Sequence, residues 1–418
     1  MAPRAPPSPV AALLPLYFVQ GMPYGFQGKA LKLHLTDQGV SLTAISLAGL
    51  LALPWLLKPL IAPWVDRFGT RHQWILPLTF GLVVLQLAAA WLDPVTQLVP
   101  LLGLLLAMNA LTAAQDVAVD GLAVDLLSGA ALGTGNGAQV AGYKVGMLVG
   151  GSALIVVFAD WGHVFLTMAA CTATGVLLHL YWVRDLAAPT LFPPRPDVAV
   201  DRGLAAVPAP RGATFAHIGR TLAAAVRAPG GLLLIGFIAS YKVGESISDD
   251  LWKPYLQRGL GTSKETLALW DATWGMGFSI AGSTIGGLLA ARYSPLRAVT
   301  WAMASRLIPA VACLACVVWP PDPPALIAVT CVEELTGGAL TPAMFALMMG
   351  SVDRRIGATH FTVLAAVEVA GKAPGGLLAG ALAEGVGWQG AFSLALGLTA
   401  VALCWLPVVR SLQTERLR

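Results

Sequence analysis

The sequence predicts an all-α polytopic membrane protein in which twelve transmembrane helices form two related bundles of six. Of its 418 residues, 56% are hydrophobic and 11% are charged, and the mean hydropathy is +0.72. Soluble domains carry about 25% charged residues. Apolar runs recur along the whole chain, each near the ~20 residues that cross ~30 Å of hydrocarbon. We therefore expect no soluble domain of any size.

Short polar breaks between the apolar runs set the boundaries of the predicted helices. The predicted spans are 11–35, 42–65, 73–92, 97–127, 135–159, 163–183, 231–256, 265–291, 296–319, 325–350, 358–383 and 389–409. The longest polar stretch is rich in Pro and Arg and predicts a linker. The expected organisation is an N-terminal bundle (1–183), a cytoplasmic linker (184–230) and a C-terminal bundle (231–418). A short amphipathic helix around Thr214 to Arg227 is a candidate for lying on the membrane surface.

Basic residues predict the orientation, because loops that stay in the cytoplasm retain Lys and Arg. With the N-terminus inside, sixteen of the 26 Lys and Arg residues fall on the cytoplasmic side, and only Arg258 and Lys264 fall outside. The first ten residues lack the zones of a cleavable signal, so the first helix is expected to remain and both termini to be cytoplasmic. The net charge of +4 follows from this topology and does not indicate nucleic-acid binding.

The five cysteines all fall within apolar spans, where they are expected to be small core residues. They predict no disulfide, no metal site and no cofactor. The expected partners are a small-molecule solute, protons and bilayer lipid, with the chain acting as a monomer.

Polar residues inside the spans identify candidate sites, because an ionisable side chain at membrane depth costs roughly 2.5–3.5 kcal/mol on insertion scales. In the first span, Tyr17, Gln20, Tyr24 and Gln27 follow one another at helical spacing and form a polar stripe. Such a stripe is unsuited to lipid. It predicts neutral hydrogen-bonding groups that line a central cavity.

Charged residues in the seventh span lie on one helical face, because Lys242, Glu245 and Asp249 occupy positions i, i+3 and i+7. Lys242 and Glu245 can neutralise each other as a structural pair. Alternatively, protonation of Glu245 frees Lys242 for an anionic solute.

Carboxylates elsewhere are candidates for carrying protons. Asp116 and Asp120 share a helix face, and Asp116, the deeper of the two, is the first choice; the alternative is a salt bridge from either to Lys144. Glu368 and Lys372 are spaced for a local ion pair. Glu333 and Glu334 are expected in an external vestibule.

The candidate residues divide into three groups by expected role. The substrate-binding candidates are Gln20, Tyr24, Gln27, Tyr143, Lys144, Tyr241, Lys242, Trp270, Trp274 and Lys372. The proton-coupling candidates are Asp116, Asp120, Glu245 and Glu368. The gating candidates are Lys29, Asp249, Asp250, Asp66 and Arg71. Trp270 and Trp274 are candidates for stacking on a ring, and other tryptophans, Trp55 among them, are expected to anchor at the membrane interface.

The two halves match each other internally. DQGVSLT after the first span corresponds to QRGLGTS after the seventh, which sets Lys29 opposite Asp249. GYKVGMLVGG corresponds to AVEVAGKAPGG, which pairs Gly146 with Gly371 and Gly150 with Gly375. The first match predicts that Lys29 pairs with Asp249 or Asp250 across the outer mouth of the protein.

Twelve helices in two related halves with a long central loop are the layout of a major facilitator transporter, whose site lies between the halves. APWVDRFGTR, residues 62–71, resembles the superfamily loop motif of the form GxLxDRxGR, with matches at Asp66, Gly69 and Arg71 and a departure at Ala62. A turn of this kind can latch one helix bundle to the next.

Longer segments narrow the resemblance. They are LPWLLKPLIAPWVDR, AAQDVAVDGLAVDLL, GYKVGML, YKVGESISDDLWKPYLQRGLG and ATHFTVLAAVEVAGK. They resemble the branch of the superfamily that holds AmpG-like muropeptide permeases, siderophore permeases of the RhtX and FptX type, and acetyl-CoA-transporter-like carriers. The resemblance covers essentially all twelve spans and implies proton-coupled import in the bacterial inner membrane.

The sequence thus predicts a secondary transporter. The candidate solutes are large and anionic or amphipathic: a ferric siderophore, an acyl-CoA-like thioester or a muropeptide. The chain lacks the extra terminal helices of the longer muropeptide permeases, which disfavours the muropeptide. An alternative is a membrane enzyme such as a lipid-modifying acyltransferase, but no nucleophile with a base is visible. A receptor or scaffold would need larger loops.

Overall fold

Helices make up all the regular structure in the computed structural model, which describes residues 8–31, 51, 53–93, 96–158, 160–183 and 214–407. The first helices are α1 (Pro9–Gly25), α2 (Lys58–Arg67), α3 (Arg71–Ala89), α4 (Leu98–Leu126), α5 (Ala130–Leu148) and α6 (Trp161–Val183). The later helices are α7 (Phe215–Arg227), α8 (Gly231–Ser240), α9 (Val243–Pro254), α10 (Lys264–Trp270), α11 (Met276–Arg292), α12 (Pro295–Ser305), α13 (Leu307–Val318), α14 (Pro323–Gly350) and α15 (Gly357–Ala402).

Short segments complete several of these helices. Four-residue helical turns occupy Leu53–Leu56 and Leu154–Val157. Single π-helical turns follow α1, α5, α9 and α10, at Phe26–Ala30, Val149–Ala153, Tyr255–Gly259 and Asp271–Gly275. Such turns are often found at functional sites, because they redirect the side chains that follow.

Local sequence signals explain where helices begin. Thr70 caps α3: its hydroxyl accepts from the Gln73 amide while the Gln73 side chain accepts from the Thr70 amide, a reciprocal capping box. Ser294 caps α12, and Pro295 occupies the first helical position, where a missing N–H costs nothing.

Predicted and observed boundaries agree closely for several spans. The fourth, predicted at 97–127, is observed as α4, and the sixth and tenth match α6 and α14 within two residues. The spans predicted at 358–383 and 389–409 form one helical run, α15, bent at Gly387, which has φ 72° and ψ 170°. Glycine adopts this backbone conformation readily. Much of the predicted second span and residues 184–213 of the linker lie outside the described residues.

The seventh and ninth predicted spans are interrupted within the described residues. The seventh breaks between α8 and α9 at Tyr241 and Lys242, where Lys242 has φ −107° and ψ 1°. The ninth breaks at Arg306, between α12 and α13. Pro309 lacks the N–H that would bond the carbonyl of Ser305, which accounts for the second break.

Length and hydropathy identify six helices of the described residues as long and apolar enough to cross a bilayer. A seventh is added when the bent pair Phe215–Arg227 and Gly231–Gly259, which meet at 82°, is taken together. One of the six, Pro295–Val318, includes the break at Arg306, and another, Arg354–Pro407, covers the last two predicted spans.

The chain divides into two compact units. The first unit comprises Met1–Ala131, Ala138–Gly219 and Val352–Thr362, and the second comprises Leu132–Gly137, Arg220–Ser351 and Val363–Arg418. In the first, a core including Met22, Phe26 and Phe165 joins α1 to α6. In the second, a core including Trp252, Tyr255 and Phe392 joins α9 to α15.

Paired glycines make equivalent contacts in the two units, which confirms the internal match seen in the sequence. A Cβ at Gly146 would overlap the Phe18 carbonyl of α1, and a Cβ at Gly371 would overlap the Ala239 carbonyl of α8. Gly150 and Gly375 likewise face the backbone of Met22 and Val243. Small residues allow this close approach of helix backbones in membranes.

Replacing a packed glycine by alanine is therefore expected to destabilise the protein. Gly371→Ala should lower the free energy of unfolding by about 1–3 kcal/mol, because the methyl group meets backbone that has no rotamer to change. Gly380→Ala in the same helix is the matched control, since a Cβ there meets nothing within 4 Å. Thermal unfolding of the purified proteins measures both. Equal unfolding temperatures for the two variants would contradict the packing described here.

Candidate functional site

A buried charge group lies at the centre of the first unit. The Lys58 ammonium forms an ion pair with Asp116 Oδ2. One turn along α4, Asp120 Oδ1 accepts hydrogen bonds from the Tyr17 hydroxyl at 3.2 Å and from Gln139 Nε2 at 3.0 Å. Both aspartates are buried. Asp116 thus has a fixed countercharge, whereas the hydrogen-bond donors of Asp120 are neutral.

Three aromatic rings lie beside this group. The Tyr24 ring is centred 5.9 Å from that of Trp55 and 6.0 Å from that of Tyr143, and Trp55 and Tyr143 meet edge to face at 6.3 Å. The Lys58 Nζ lies 4.7 Å from the Trp55 ring centroid, within cation–π range. Trp55 therefore belongs to an aromatic cluster with Tyr24 and Tyr143, and its expected role as an interfacial anchor stays a prediction.

The glutamines of α1 have different surroundings. Gln27 Oε1 accepts a hydrogen bond from Asn109 Nδ2. Gln20 is fully buried, and neither polar atom of its amide has a hydrogen-bond partner among the described residues. Buried amides are normally paired. Gln20 is therefore available to hydrogen-bond a water molecule or a ligand.

The motif turn between α2 and α3 binds the start of α15. Asp66 accepts hydrogen bonds from the backbone amides of Ala358 and Thr359, at 3.2 and 2.7 Å. Arg71 Nη2 contacts Asp66 Oδ1 at 2.8 Å, and Arg71 Nε contacts Asp125 Oδ2 at 3.1 Å. A carboxylate at the first free amides of a helix satisfies them and interacts favourably with the helix dipole.

Two glycines support this arrangement. Gly69 has φ 69°, which turns the chain between α2 and α3, and Gly121 on α4 leaves room for the Arg71 guanidinium, 2.9 Å from where a Cβ would lie. Before α15, Arg354 Nη2 donates to the Leu127 carbonyl at 2.8 Å. Hydrogen bonds from Arg355 lower the pKa of Asp353 in the same turn.

In the second unit, Arg306 is the centre of a buried charge network. Its Nη2 contacts Asp249 Oδ1 at 2.8 Å and Glu333 Oε1 at 3.1 Å, and its Nε lies 3.3 Å from Glu245 Oε2. Its Nη1 donates to the Glu333 carbonyl at 2.6 Å and to Thr336 Oγ1 at 3.0 Å. Glu333 is thus part of an ion-pair network and not merely a residue of an external vestibule.

The remaining charges of this unit lie near the helix break. Lys242 Nζ is 3.5 Å from Glu245 Oε1, which confirms the contact that the spacing predicted. The Tyr241 hydroxyl donates to Glu368 Oε1 at 3.2 Å, and Lys372 Nζ is 3.3 Å from Glu368 Oε2. The i, i+4 pair predicted in the eleventh span is therefore confirmed as a contact.

Other candidate residues are not drawn into these groups by any contact described here. Trp270 packs against the core of the second unit, and Trp274 is half exposed. Asp250 is exposed and its carboxylate lies against Gly376. Lys144 follows Tyr143 in α5. The side chain of Lys29 lies outside the described residues, so its predicted pairing with Asp249 or Asp250 stays a prediction.

Sequence reasoning missed two central cations, Lys58 and Arg306. Both lie within predicted spans, at 42–65 and 296–319. Their carboxylate partners come from other helices, so no local spacing connects them. The available signal was the number of carboxylates within the predicted spans, because unpaired carboxylates at membrane depth require nearby cations.

The Major Facilitator Superfamily profile matches residues 13–249 and 250–416. The chain belongs to the Major Facilitator Superfamily. It is a secondary transporter embedded in a membrane and acts on a small-molecule solute. Within the described residues, no group of three or more His, Cys, Asp or Glu side chains could hold a metal ion.

Several curated proteins and solved structures of this superfamily are similar to the chain. The anhydromuropeptide permease of Escherichia coli K12 is 27% identical over 417 residues, 96% of this chain and 79% of that protein. A putative transporter named AmpG 4 from Rickettsia felis is 21% identical over 93% of each chain. The AmpG-like resemblance is thereby confirmed.

Among solved structures, the human organic anion transporter MFSD10 superposes with a TM-score of 0.65 at 16% identity, covering 95% of this chain and 98% of that one. FucP, a Major Facilitator Superfamily transporter, also gives 0.65 at 15% identity, covering 96% and 98%. These likenesses confirm the fold, which has twelve transmembrane helices.

Removing Lys58 is expected to leave a buried carboxylate without its countercharge. Lys58→Met should lower the free energy of unfolding by about 3–5 kcal/mol, the usual cost of breaking a buried pair. Adding Asp116→Asn should recover most of the loss, since no unpaired charge then remains. Chemical unfolding of the single and double variants measures this coupling.

Lys372→Met provides the comparison for that experiment, because the Lys372 side chain is 38% exposed and its pair with Glu368 lies within one helix. Its loss should cost about 0.5 kcal/mol. A double variant no more stable than Lys58→Met alone would refute the ion pair as a stabilising contact.

Proposed function

We propose that this chain couples proton movement to the import of a bulky anionic organic solute across the bacterial inner membrane. The observation that carries the proposal is the cation-and-carboxylate group of Lys58, Asp116 and Asp120 beside the aromatic cluster of Tyr24, Trp55 and Tyr143. A site of this composition offers one positive charge, flat apolar surfaces and hydrogen-bonding groups in the same place.

The aromatic cluster supports a solute with a ring or another flat apolar part. Tyr and Trp rings bind such groups through large contact areas, and their polar ends hydrogen-bond. Tyr24 is partly exposed, so its ring is open to contact. Gln20 supplies an amide that lacks a partner among the described residues.

Lysines support negative charge on the solute. Lys58 lies at the aromatic cluster of the first unit, and Lys242 and Lys372 lie beside acidic partners in the second. An anionic group of the solute can take the place of such a carboxylate as the countercharge of the lysine. Proton binding to the released carboxylate then keeps the buried charge balanced.

Proton coupling rests on the second carboxylate of the Lys58 group. Asp116 is the direct partner of Lys58. The hydrogen-bond donors to Asp120 among the described contacts, Tyr17 and Gln139, are neutral, so Asp120 is the better candidate for binding and releasing a proton. The sequence favours Asp116 as the proton carrier because it is the deeper of the two. Because Asp116 is paired with Lys58, we propose Asp120, one turn along α4, instead.

The name of the Escherichia coli relative makes an anhydromuropeptide the first solute to test. Such molecules combine sugar rings with peptide carboxylates, which fits rings beside lysines. A ferric siderophore and an acyl-CoA are the comparison solutes. We further infer a monomeric transporter, not an enzyme, with both termini cytoplasmic and with bundles at 1–183 and 231–418 joined by the linker 184–230. Within this scheme Asp66 and Arg71 act as the latch of the motif turn.

Uptake into proteoliposomes tests the proposed function directly. Vesicles with an inward proton gradient should accumulate the solute above the external concentration, and a proton ionophore should abolish accumulation. Thermal stabilisation of the purified protein by each of the three solutes, measured first, chooses the one to use. Uptake that ignores the proton gradient would refute the coupling.

Replacing Asp120 separates coupling from solute movement. Asp120→Asn should abolish accumulation driven by a pH gradient but retain solute exchange between loaded vesicles and medium, because a neutral side chain allows the conformational cycle without carrying a proton. Asp160→Asn is the matched control, since Asp160 is exposed and contacts only the neighbouring turn at His163. Accumulation at the parent level in Asp120→Asn would remove Asp120 from the coupling.

The aromatic cluster predicts an effect on affinity. Trp55→Ala should weaken solute binding roughly tenfold, which corresponds to about 1.4 kcal/mol of lost contact free energy. Trp319→Ala is the control, because Trp319 is 75% exposed. Isothermal titration with the stabilising solute measures both. Equal affinities in the two variants would place the solute elsewhere.

A further inference from the structure

The network around Arg306 contains more negative than positive charge. Glu245, Asp249 and Glu333 all contact the one guanidinium, and Lys242 contacts Glu245 as the second cation. Three carboxyl groups therefore face two cations. A fully ionised network would hold one uncompensated negative charge at membrane depth, which is costly.

Two of these carboxyl groups meet at one nitrogen atom. Asp249 Oδ1 and Glu333 Oε1 both approach the same nitrogen, Arg306 Nη2, at 2.8 and 3.1 Å. Two carboxyl groups can hydrogen-bond to one another only when one of them carries a proton. Neighbouring carboxyl groups that cannot both ionise commonly share one proton.

We propose that Asp249 and Glu333 share one proton beside Arg306 and form a second proton-binding site, separate from the aspartates of the first unit. The site extends the proton coupling proposed above and rests on it for its role in transport. Arg306 is its positioning residue, because one guanidinium nitrogen holds both carboxyl groups while another holds the backbone of α14.

A small cavity of about 10 Å³ adjoins the network. Its lining includes Glu245, Ser248, Arg306 and Glu333. Ser248 Oγ is buried and has no hydrogen-bond partner among the described residues. A hydroxyl in this position can hydrogen-bond a water molecule between the carboxyl groups.

The packed helices supply the other groups that influence the shared proton. Thr336 and Glu334 come from α14, Cys313 from α13, and Thr399 from α15. Lys242 precedes α9 and is also influenced by Glu368 of α15. The Asp249 side chain is 38% exposed and that of Glu333 is 14% exposed, whereas Glu245 is 3% exposed. Asp249 is therefore the most exposed of the three carboxyl groups.

Infrared spectroscopy tests the proposal on the full-length protein without any solute. A protonated carboxyl group absorbs at higher frequency than a carboxylate, and the band shifts in heavy water. The Asp120→Asn variant at neutral pH should retain about one protonated carboxyl group per molecule, which belongs to the Arg306 network. Absence of that band in this background would overturn the proposal, and the measurement leaves the network itself unchanged.

Variants within the network assign the band. Glu333→Gln and Asp249→Asn, each in the Asp120→Asn background, should each remove it, because the two remaining carboxylates then balance Lys242 and Arg306. Glu384→Gln is the matched control, since Glu384 is exposed. A band that persists in both network variants would overturn the proposal. Either network variant alone suffices if the other fails to fold.

The outcome is independent of the proposed transport. Pumping of solute by a pH gradient is measured in vesicles, whereas the shared proton is measured in purified protein. A band assigned to Asp249 and Glu333 together with uptake that ignores pH would leave the proton site established and refute the coupling.

Discussion

Every charge inside a bilayer needs a partner, and this requirement determines which helices of the protein lie together. An isolated ion at the centre of a membrane-spanning helix costs roughly 2.5–3.5 kcal/mol on insertion scales. In the first unit Lys58 of α2 meets Asp116 of α4, and in the second Arg306 joins α9 to α14. The lipid-facing apolar residues are similar on all helices and do not determine which helices are neighbours. The ion pairs do, because each connects two particular helices. Charge pairing therefore contributes to the specificity of helix packing and also offsets the free-energy cost of burying each charge.

Close backbone contact allows these side chains to meet. Gly146 and Gly371 bring α5 against α1 and α15 against α8, and the same separation recurs in both units. The helix breaks then turn particular residues out of regular positions. Lys242 and Arg306 both lie at such breaks and both carry charge. A broken helix at membrane depth is tolerated where it is enclosed by protein or lines a wet cavity, which is where transporters place their binding groups.

Much of this fold could be predicted from composition and spacing. A long apolar segment crosses a bilayer as a helix, because the helix satisfies the backbone hydrogen bonds within the segment. The Lys242–Glu245 and Glu368–Lys372 contacts were also predictable, since both lie within one helical turn. Lys58 and Arg306 were not, because their partners are distant in sequence and no periodicity joins them. The aromatic cluster was predicted in part. Tyr24 and Tyr143 were candidate residues, but the position of Trp55 in the sequence is typical of an interfacial residue. The break in the seventh span could not be predicted, because no proline lies near Tyr241 and Lys242.

The two charge groups differ in their access to water, and this difference gives them different parts in a proton cycle. Asp120 is 5% exposed and is held by Tyr17 and Gln139, two neutral donors from separate helices. In the proposed cycle, a proton bound to Asp120 reaches water when those helices move. The Asp249 side chain is 38% exposed, so the proton that we propose it shares with Glu333 lies nearer the protein surface. A carrier that loads from solution at one group and releases through a rearrangement at another prevents protons from leaking, because the enclosed carboxylate is never open to both sides at once. On this reasoning Asp120 supplies the coupling step of the proposed cycle, and the Arg306 network supplies a second proton-binding site.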